Sequence, residues 1–409
     1  MEQHHQRQQR DAILRTLTSH GAPTRRSMLR AAGAALALGG VGGVGGCAVP
    51  LEGKSADSGI EDFSGEERLV NFSNWPGYID VGADRDRHPT LETFRRRTGI
   101  RVAYTEDVNS NAEFFDRIQR QLKAGQDTGR DLICVTDWLA ARLVRNGWVQ
   151  KLDVSNLANA YANLSAQFRG FDWDPARLYS YPWTGIFTVI VHNDKATEWR
   201  RIDSMEQLLE DPRLKGRVGL LTEMRDTIGM TLLDMGVRPE QFTDDDFHAA
   251  LARLQRAVDR GQIRRFTGND YIDDLAKGDI AACLAWAGDL VQLQVDNPAI
   301  TLAIPDAGCM ASTDNLLIPN EARHKRNAER LINYYYEPNV AARLAAWINY
   351  VCPVDGVREE LAKIDPRLAK NPLILPDEKM TERSHVFRSL TADEETTYEK
   401  EFGRLIDAA

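Results

Sequence analysis

Asp131-Leu132-Ile133-Cys134-Val135-Thr136-Asp137-Trp138 is a run of four apolar residues closed by a hydroxyl, an acid and an aromatic. Consecutive apolar residues without alternation suit a strand covered on both faces, as in a parallel sheet. The neighbouring segments agree. Leu69-Val70-Asn71-Phe72 and Ile100-Arg101-Val102-Ala103-Tyr104 read as short strands, with helical character between them over residues 90–98. Residues 113–124 carry apolar side chains at 114, 115, 118 and 122, a helical spacing. Strands alternating with helices predict an α/β layer fold with ligand chemistry at the strand ends.

The pattern restarts after Tyr181-Pro182-Trp183. Phe187-Thr188-Val189-Ile190-Val191 and Arg217-Val218-Gly219-Leu220-Leu221 read as strands, followed by helices over 226–235 and 245–260. Strands then fit Ile280-Ala281-Ala282-Cys283-Leu284 and Thr301-Leu302-Ala303-Ile304. This predicts a second α/β lobe. Leu316-Leu317-Ile318 and a long helical stretch over 321–347 return the chain to the first. No internal repeat is visible.

Ahead of both lobes stands a leader. Thr24-Arg25-Arg26-Ser27-Met28-Leu29-Arg30 is a twin-arginine pattern, and residues 31–46 are apolar and rich in Gly and Ala. The run is too short and too weakly apolar for a good membrane span, which wants about 20 apolar residues. It reads as a signal peptide over 1–46. Small residues before Cys47 resemble a lipobox, in which the thiol takes a lipid and becomes the mature N-terminus. Residues 47–66 read as a flexible tether, and regular structure is expected from Arg68. The expected location is outside the cytoplasm, anchored by lipid.

Removing residues 1–46 takes away six Arg and two acids, leaving 45 basic and 58 acidic side chains, a formal charge of −13 over 363 residues. That balance argues against nucleic acid, whose phosphates reward basic surfaces, and suits a cationic small ligand. Cys134, Cys283, Cys309 and Cys352 show no metal-ligand spacing. Cys134 and Cys283 lie in strand-like runs, while Cys309 and Cys352 fall in loops and are the better-placed pair for a disulfide.

Several landmarks in order resemble the polyamine-binding (spermidine/putrescine) solute-binding proteins of bacterial ABC importers. They are Asn74-Trp75-Pro76-Gly77-Tyr78, Thr136-Asp137-Trp138, Gly147-Trp148-Val149-Gln150-Lys151-Leu152-Asp153 and Tyr181-Pro182-Trp183-Thr184-Gly185. Trp286-Ala287-Gly288-Asp289, Asp314-Asn315-Leu316-Leu317-Ile318-Pro319 and Trp347-Ile348-Asn349-Tyr350 complete the series. The resemblance implies a two-lobed periplasmic-binding-protein fold, type II-like, that closes over a ligand in the interlobe cleft. One lobe would take residues 67–182 with about 314–355, and the other 183–313 with about 356–409. The hinge would run through 182–186 and 308–314. A membrane permease would be the partner, the protein would act as a monomer, and neither cofactor nor metal is implied.

The chemistry of a polyamine fits that implication. Each buried ammonium needs a carboxylate or several neutral acceptors. The methylenes want apolar walls, and aromatic faces serve both needs. Matched to the family, Trp75 and Tyr78 supply the first aromatic pair, Trp138 another aromatic with Thr136 as its hydroxyl. Trp286 is a box tryptophan and Tyr350 a late aromatic. Asp314 takes the place of the main amine-binding carboxylate, and Glu223 with Asp226 that of an acid pair. Asp137 is expected to face the pocket as an added acceptor. Two departures stand out: a further box tryptophan falls on Ser312, and a late amide position near Phe387. Losing one aromatic wall weakens the case for a long polyamine, and the added acid at Asp137 would favour a shorter, doubly charged amine or another cationic metabolite.

Tyr334-Tyr335-Tyr336 invites a ferric-iron site, although its helical context predicts one or two packed rings and a third exposed. No nucleophile elbow, HExxH or phosphate loop points to an enzyme. His88, His192, His248, His324 and His385 are scattered, with His248 and His324 expected to be exposed on helices. A sensor with the same ligand would look identical in sequence.

Overall fold

A computed structural model describes residues 60–82, 87–268 and 270–409. The leader, Cys47 and the tether up to residue 59 lie outside the described residues. Ten strands are found there: β1 (Leu69–Ser73), β2 (Arg101–Thr105), β3 (Leu132–Thr136), β4 (Ser180–Asn193), β5 (Val218–Leu221), β6 (Ile263–Thr267), β7 (Ala282–Trp286), β8 (Ile300–Ala303), β9 (Cys309–Leu317) and β10 (Ser384–Val386). They pair in the order β2-β1-β3-β9-β4-β7-β5-β6, with β10 on β9 and β8 on β4.

Two parallel sets sit at the ends of this order. β1 runs parallel to β2 and β3, and β5 runs parallel to β6 and β7. Between them β9 and β4 run antiparallel to each other and to the flanking strands. Five of the apolar strands expected in the sequence thus fall in the two sets, while β4, which contains the expected Phe187–Val191 strand, joins them together with β9. All fourteen residues of β4 are buried, and its pairing with β9 shifts register between Pro182 and Thr184.

Helices cover the sheet. Asn111–Ala124 packs Phe114, Phe115, Ile118 and Leu122 inward from the spacing seen in the sequence. Its start is capped by Ser110, which accepts from the N–H of Glu113 at 3.2 Å. Two capping boxes, Thr243 with Asp246 and Thr391 with Glu394, begin the helices Asp244–Asp259 and Ala392–Asp407. These two helices pack together through Phe247 and Tyr398, stacked with centroids 3.7 Å apart. The helix Val357–Ile364 instead packs on Pro338–Ile348.

Several expectations are corrected. Order begins before Arg68: the turn Phe63–Gly65 is docked by the Phe63 N–H donating to Arg323 O at 2.8 Å. The stretch over 321–347 is two helices, Lys325–Tyr335 and Pro338–Ile348, because Pro338 cannot continue the first. Cys309 opens β9 instead of lying in a loop, and all four of Cys134, Cys283, Cys309 and Cys352 are unbonded and buried. Burial pushes the thiols of Cys309 and Cys352 up to about 12.

All three of Tyr334, Tyr335 and Tyr336 are buried, none exposed. Their hydroxyls are engaged with Thr90 O at 2.9 Å, Thr90 Oγ1 at 2.9 Å and Pro182 O at 2.6 Å. His324 is buried as well, gripped by Asp131 and Glu67. A helix-start position facing two acids is a better place for an imidazole than solvent. Among the described residues no helix is long and apolar enough to cross a membrane.

Candidate functional site

A cleft of about 1370 Å³ opens at the carboxyl ends of β1, β3, β5 and β7. That is where an α/β sheet exposes backbone ends and helix starts to a ligand. All ten ligand residues expected from the sequence line it: Trp75, Tyr78, Thr136, Asp137, Trp138, Glu223, Asp226, Trp286, Asp314 and Tyr350. Ser312 and Phe387, the two departures, line it too.

The first aromatic pair is set by a turn. Pro76 and Gly77 occupy its centre, with Gly77 at φ 72°, and Tyr78 N–H donates to Trp75 O at 3.3 Å. Only a residue without a side chain adopts that φ cheaply, which is why Pro-Gly suits it. Glu106 accepts from Gly77 N–H, and the Trp347 indole donates to Gly77 O, each at 2.9 Å. Asn74 Oδ1 accepts from the Trp75 N–H at 2.8 Å.

Asp314 lies in β9, in register with Thr136 of β3 and with Thr184 of β4. It is 1% exposed. Tyr78 donates to its Oδ2 at 2.7 Å and Thr136 to its Oδ1 at 2.8 Å. Asn111 in turn holds Thr136, donating to Oγ1 at 2.9 Å and accepting from the Thr136 N–H at 3.1 Å. Three elements therefore aim one carboxylate.

Asp137 begins the helix Asp137–Arg145, and its carboxylate grips β9. Oδ2 accepts from the Thr313 N–H and Oδ1 from the Asn315 amide, both at 2.7 Å. Burial pushes its carboxyl up to about 7, against the lowering from Asn315, Arg177 and the Thr313 N–H. It lines the cleft while both its oxygens already serve the strand.

The facing side is built from β5 and β7. The Trp286 indole donates to Asp226 Oδ2 at 2.8 Å, and burial raises the Asp226 pKa although that bond lowers it. Tyr271 and Asp289, not counted among the ligand residues, position this wall. The Tyr271 hydroxyl accepts from the Trp286 N–H at 3.1 Å and donates to Asp289 Oδ2 at 2.7 Å. Tyr350 donates to Asp289 Oδ1 at 3.0 Å. The Tyr350 ring lies on Gly288, where an added Cβ would come within 2.5 Å of it. Trp75, Tyr78 and Tyr350 form a chain of tilted rings with centroids 6.4 and 6.1 Å apart.

Glu223 and Trp138 sit apart from this box, among charged groups. Burial pushes Glu223 up to about 7, with Arg225 lowering it and Asp226 and Glu399 raising it. The Trp138 indole N–H has no partner at hydrogen-bond distance, yet lies near enough to favour the ionised form of Glu223. Arg142 and Arg225 flank the Trp138 ring at 4.7 and 4.8 Å from its centroid. Nothing in the strand pattern announced that cluster; the one local hint is Arg225 lying between Glu223 and Asp226.

The geometry describes a binding cleft walled by aromatic rings and acids. Among the described residues no group of three His, Cys, Asp or Glu side chains is arranged to hold a metal ion. A spermidine/putrescine-binding periplasmic protein of Escherichia coli is 26% identical over 312 residues, covering 76% of this chain and 84% of the relative. The putrescine-binding periplasmic protein PotF of the same organism is 27% identical over 336 residues, covering 78% and 85%. In fold, the chain is similar to the spermidine/putrescine ABC transporter substrate-binding protein PotD of Streptococcus pneumoniae. The TM-score is 0.69 at 19% identity, over 83% of this chain and 99% of that one. The family of bacterial extracellular solute-binding proteins matches residues 90–376. With that match spanning most of its length, the chain belongs to the bacterial extracellular solute-binding proteins.

Proposed function

We propose that this protein captures a small polyamine of the putrescine/spermidine kind in the cleft and delivers it to an ABC permease. The observation that carries the reading is the carboxylate of Asp314, buried among aromatic rings and aimed by two hydroxyls. Hydroxyl donors fix the direction of a carboxylate without cancelling its charge, and an ammonium arriving there gains a charge-assisted hydrogen bond. Tyr78, Trp75, Trp286 and Tyr350 offer faces to the methylenes and to the cation. Asp226, on the opposite parallel set, would meet a second amine. The named relatives are binding proteins for such amines, which favours capture over turnover.

The remaining parts of the reading follow the sequence. The leader would export the chain by the twin-arginine route, Cys47 would carry a lipid, and the protein would work as a monomer. β4 and β9, the strands joining the two parallel sets, are the place for a hinge. Calorimetric titration with putrescine, spermidine, spermine and agmatine, with arginine and ferric citrate as controls, tests the proposal. Saturable binding of one amine is expected at about micromolar affinity or better. Failure of every amine would sink it.

A further inference from the structure

The first turn of the helix Met224–Asp234 carries Arg225 between the two acids expected to meet a ligand. A cation there opposes the helix dipole, so the helix itself gives no reason for it. The reason lies in what the guanidinium touches. Nη2 stands 2.9 Å from Glu395, and Nη1 stands 3.4 Å from Glu399 and 3.8 Å from Glu223. Its centre is 4.8 Å from the Trp138 ring centroid. An acid and an aromatic face are what a ligand ammonium would seek. Here they already hold a cation, and the chain supplies it.

The neighbourhood has no surplus of negative charge. Arg142 and Arg145 reach Glu395 at 3.1 and 2.9 Å, and Arg142 reaches Glu399 at 3.3 Å. Three guanidiniums thus meet the three carboxylates of Glu223, Glu395 and Glu399. A ligand ammonium entering there would face like charge at short range in a poorly solvated place. To displace Arg225 it would have to break that residue's pairs with Glu395 and Glu399.

We infer that Arg225 is a specificity-determining residue: its guanidinium fills the Glu223–Trp138 end of the cleft as a built-in amine substitute. The site therefore takes a diamine and excludes the third ammonium of a triamine. The inference rests on the polyamine reading above, and replaces Asp137 as the physical reason for a short ligand.

The full chain, as wild type, Arg225→Met and Arg225→Lys, would be titrated with putrescine and with spermidine. Wild type is expected to prefer putrescine by about tenfold or more. Arg225→Met keeps an apolar stem against Trp138, uncovers Glu223, and should shift the ratio toward spermidine by about tenfold. Arg225→Lys returns an ammonium to the same place and should restore the wild-type preference. An unchanged ratio in a folded Met variant overturns the assignment. So does a wild type that prefers spermidine, a result that needs no variant to fold. Binding of neither amine by any of the three proteins overturns the polyamine reading itself, and this inference with it.

Discussion

Asp314 and Glu223 are both carboxylates lining one cleft, and they sit in opposite settings. Asp314 is aimed by the hydroxyls of Tyr78 and Thr136. Glu223 looks onto a guanidinium belonging to its own chain, with two further arginines behind it. Donors of the first kind orient a charge, and donors of the second kind cancel it. An acid in the expected place of a motif is thus not enough to mark a ligand site. At Glu223 the fold brings its own cation to the acid.

The largest effect should come from the hydroxyl-held end. Asp314→Asn keeps an acceptor for Tyr78 or Thr136 and removes the charge. Titration should show diamine binding weakened by more than about tenfold, or 1.4 kcal/mol. Unchanged affinity would remove Asp314 from the site and break the comparison at its stronger side.

Next comes the aromatic wall. Gly288 lets the Tyr350 ring lie directly on the helix start, and a Cβ there would sit 2.5 Å from the ring. Gly288→Ala should push Tyr350 out of line, weakening diamine binding by about three- to tenfold through lost cation–aromatic contact. Tyr350→Phe should cost less, because the hydroxyl is spent on Asp289 at 3.0 Å. Equal losses would mean that the hydroxyl, and not the ring, meets the ligand.

A smaller effect, on pH, separates the two ends directly. Asp137 and Glu223 are pushed up to about 7 by burial, and Asp226 is raised for the same reason. Near pH 7 Asp137 and Glu223 take up protons, and Asp226 keeps its proton to higher pH than a free carboxyl, so a cation meets less charge at the acid end and affinity should climb by about threefold from pH 6 to 8. Proton release on binding should accompany the lower range. In Glu223→Gln the climb should persist, since Glu223 answers to Arg225. A flat profile in that variant would place the ligand on Glu223 and reverse the comparison.

Much of this was legible in the sequence, and the misses share a cause. Apolar runs such as Leu132 to Val135 announced their strands because burial on both faces leaves no polar residue to confuse the pattern. β9 was missed over 309–315 because Ser312, Thr313, Asp314 and Asn315 read as a loop. Ser312 and Asp314 are polar in a strand because they line the cleft, and Asn315 because its amide holds the Asp137 carboxylate. The turn at Trp75 to Tyr78 was visible through Pro76 and Gly77, whose chemistry is local. Tyr271 with Asp289, and Arg225 with Glu395 and Glu399, were invisible because their partners come from distant segments. Charge pairing of that sort has no period for a sequence to show.

His324 offers the same internal neutralisation away from the cleft, where only stability should notice. Its ring nitrogens lie 2.9 Å from Asp131 Oδ2 and 2.8 Å from Glu67 Oε2. Burial disfavours the charged ring, but the bonds to Asp131 and Glu67 outweigh it and hold the pKa above the ordinary 6.5. A histidine raised in the folded state contributes its full stability below the unfolded value. That contribution is lost as pH rises through the folded value. His324→Gln should therefore lower the melting temperature by about 2–4 °C near pH 6 and by less near pH 9. Diamine affinity should stay at the wild-type level throughout. A variant whose deficit grows with pH would show that the ring is held neutral. A variant that lost amine binding would show that this pair also holds the β1 and β3 side of the cleft in place. The first result would remove His324 as an example of an internal cation; the second would mean that an internal ion pair in this fold acts beyond its neighbours, and the contrast between Asp314 and Glu223 would have to be redrawn on longer-range terms.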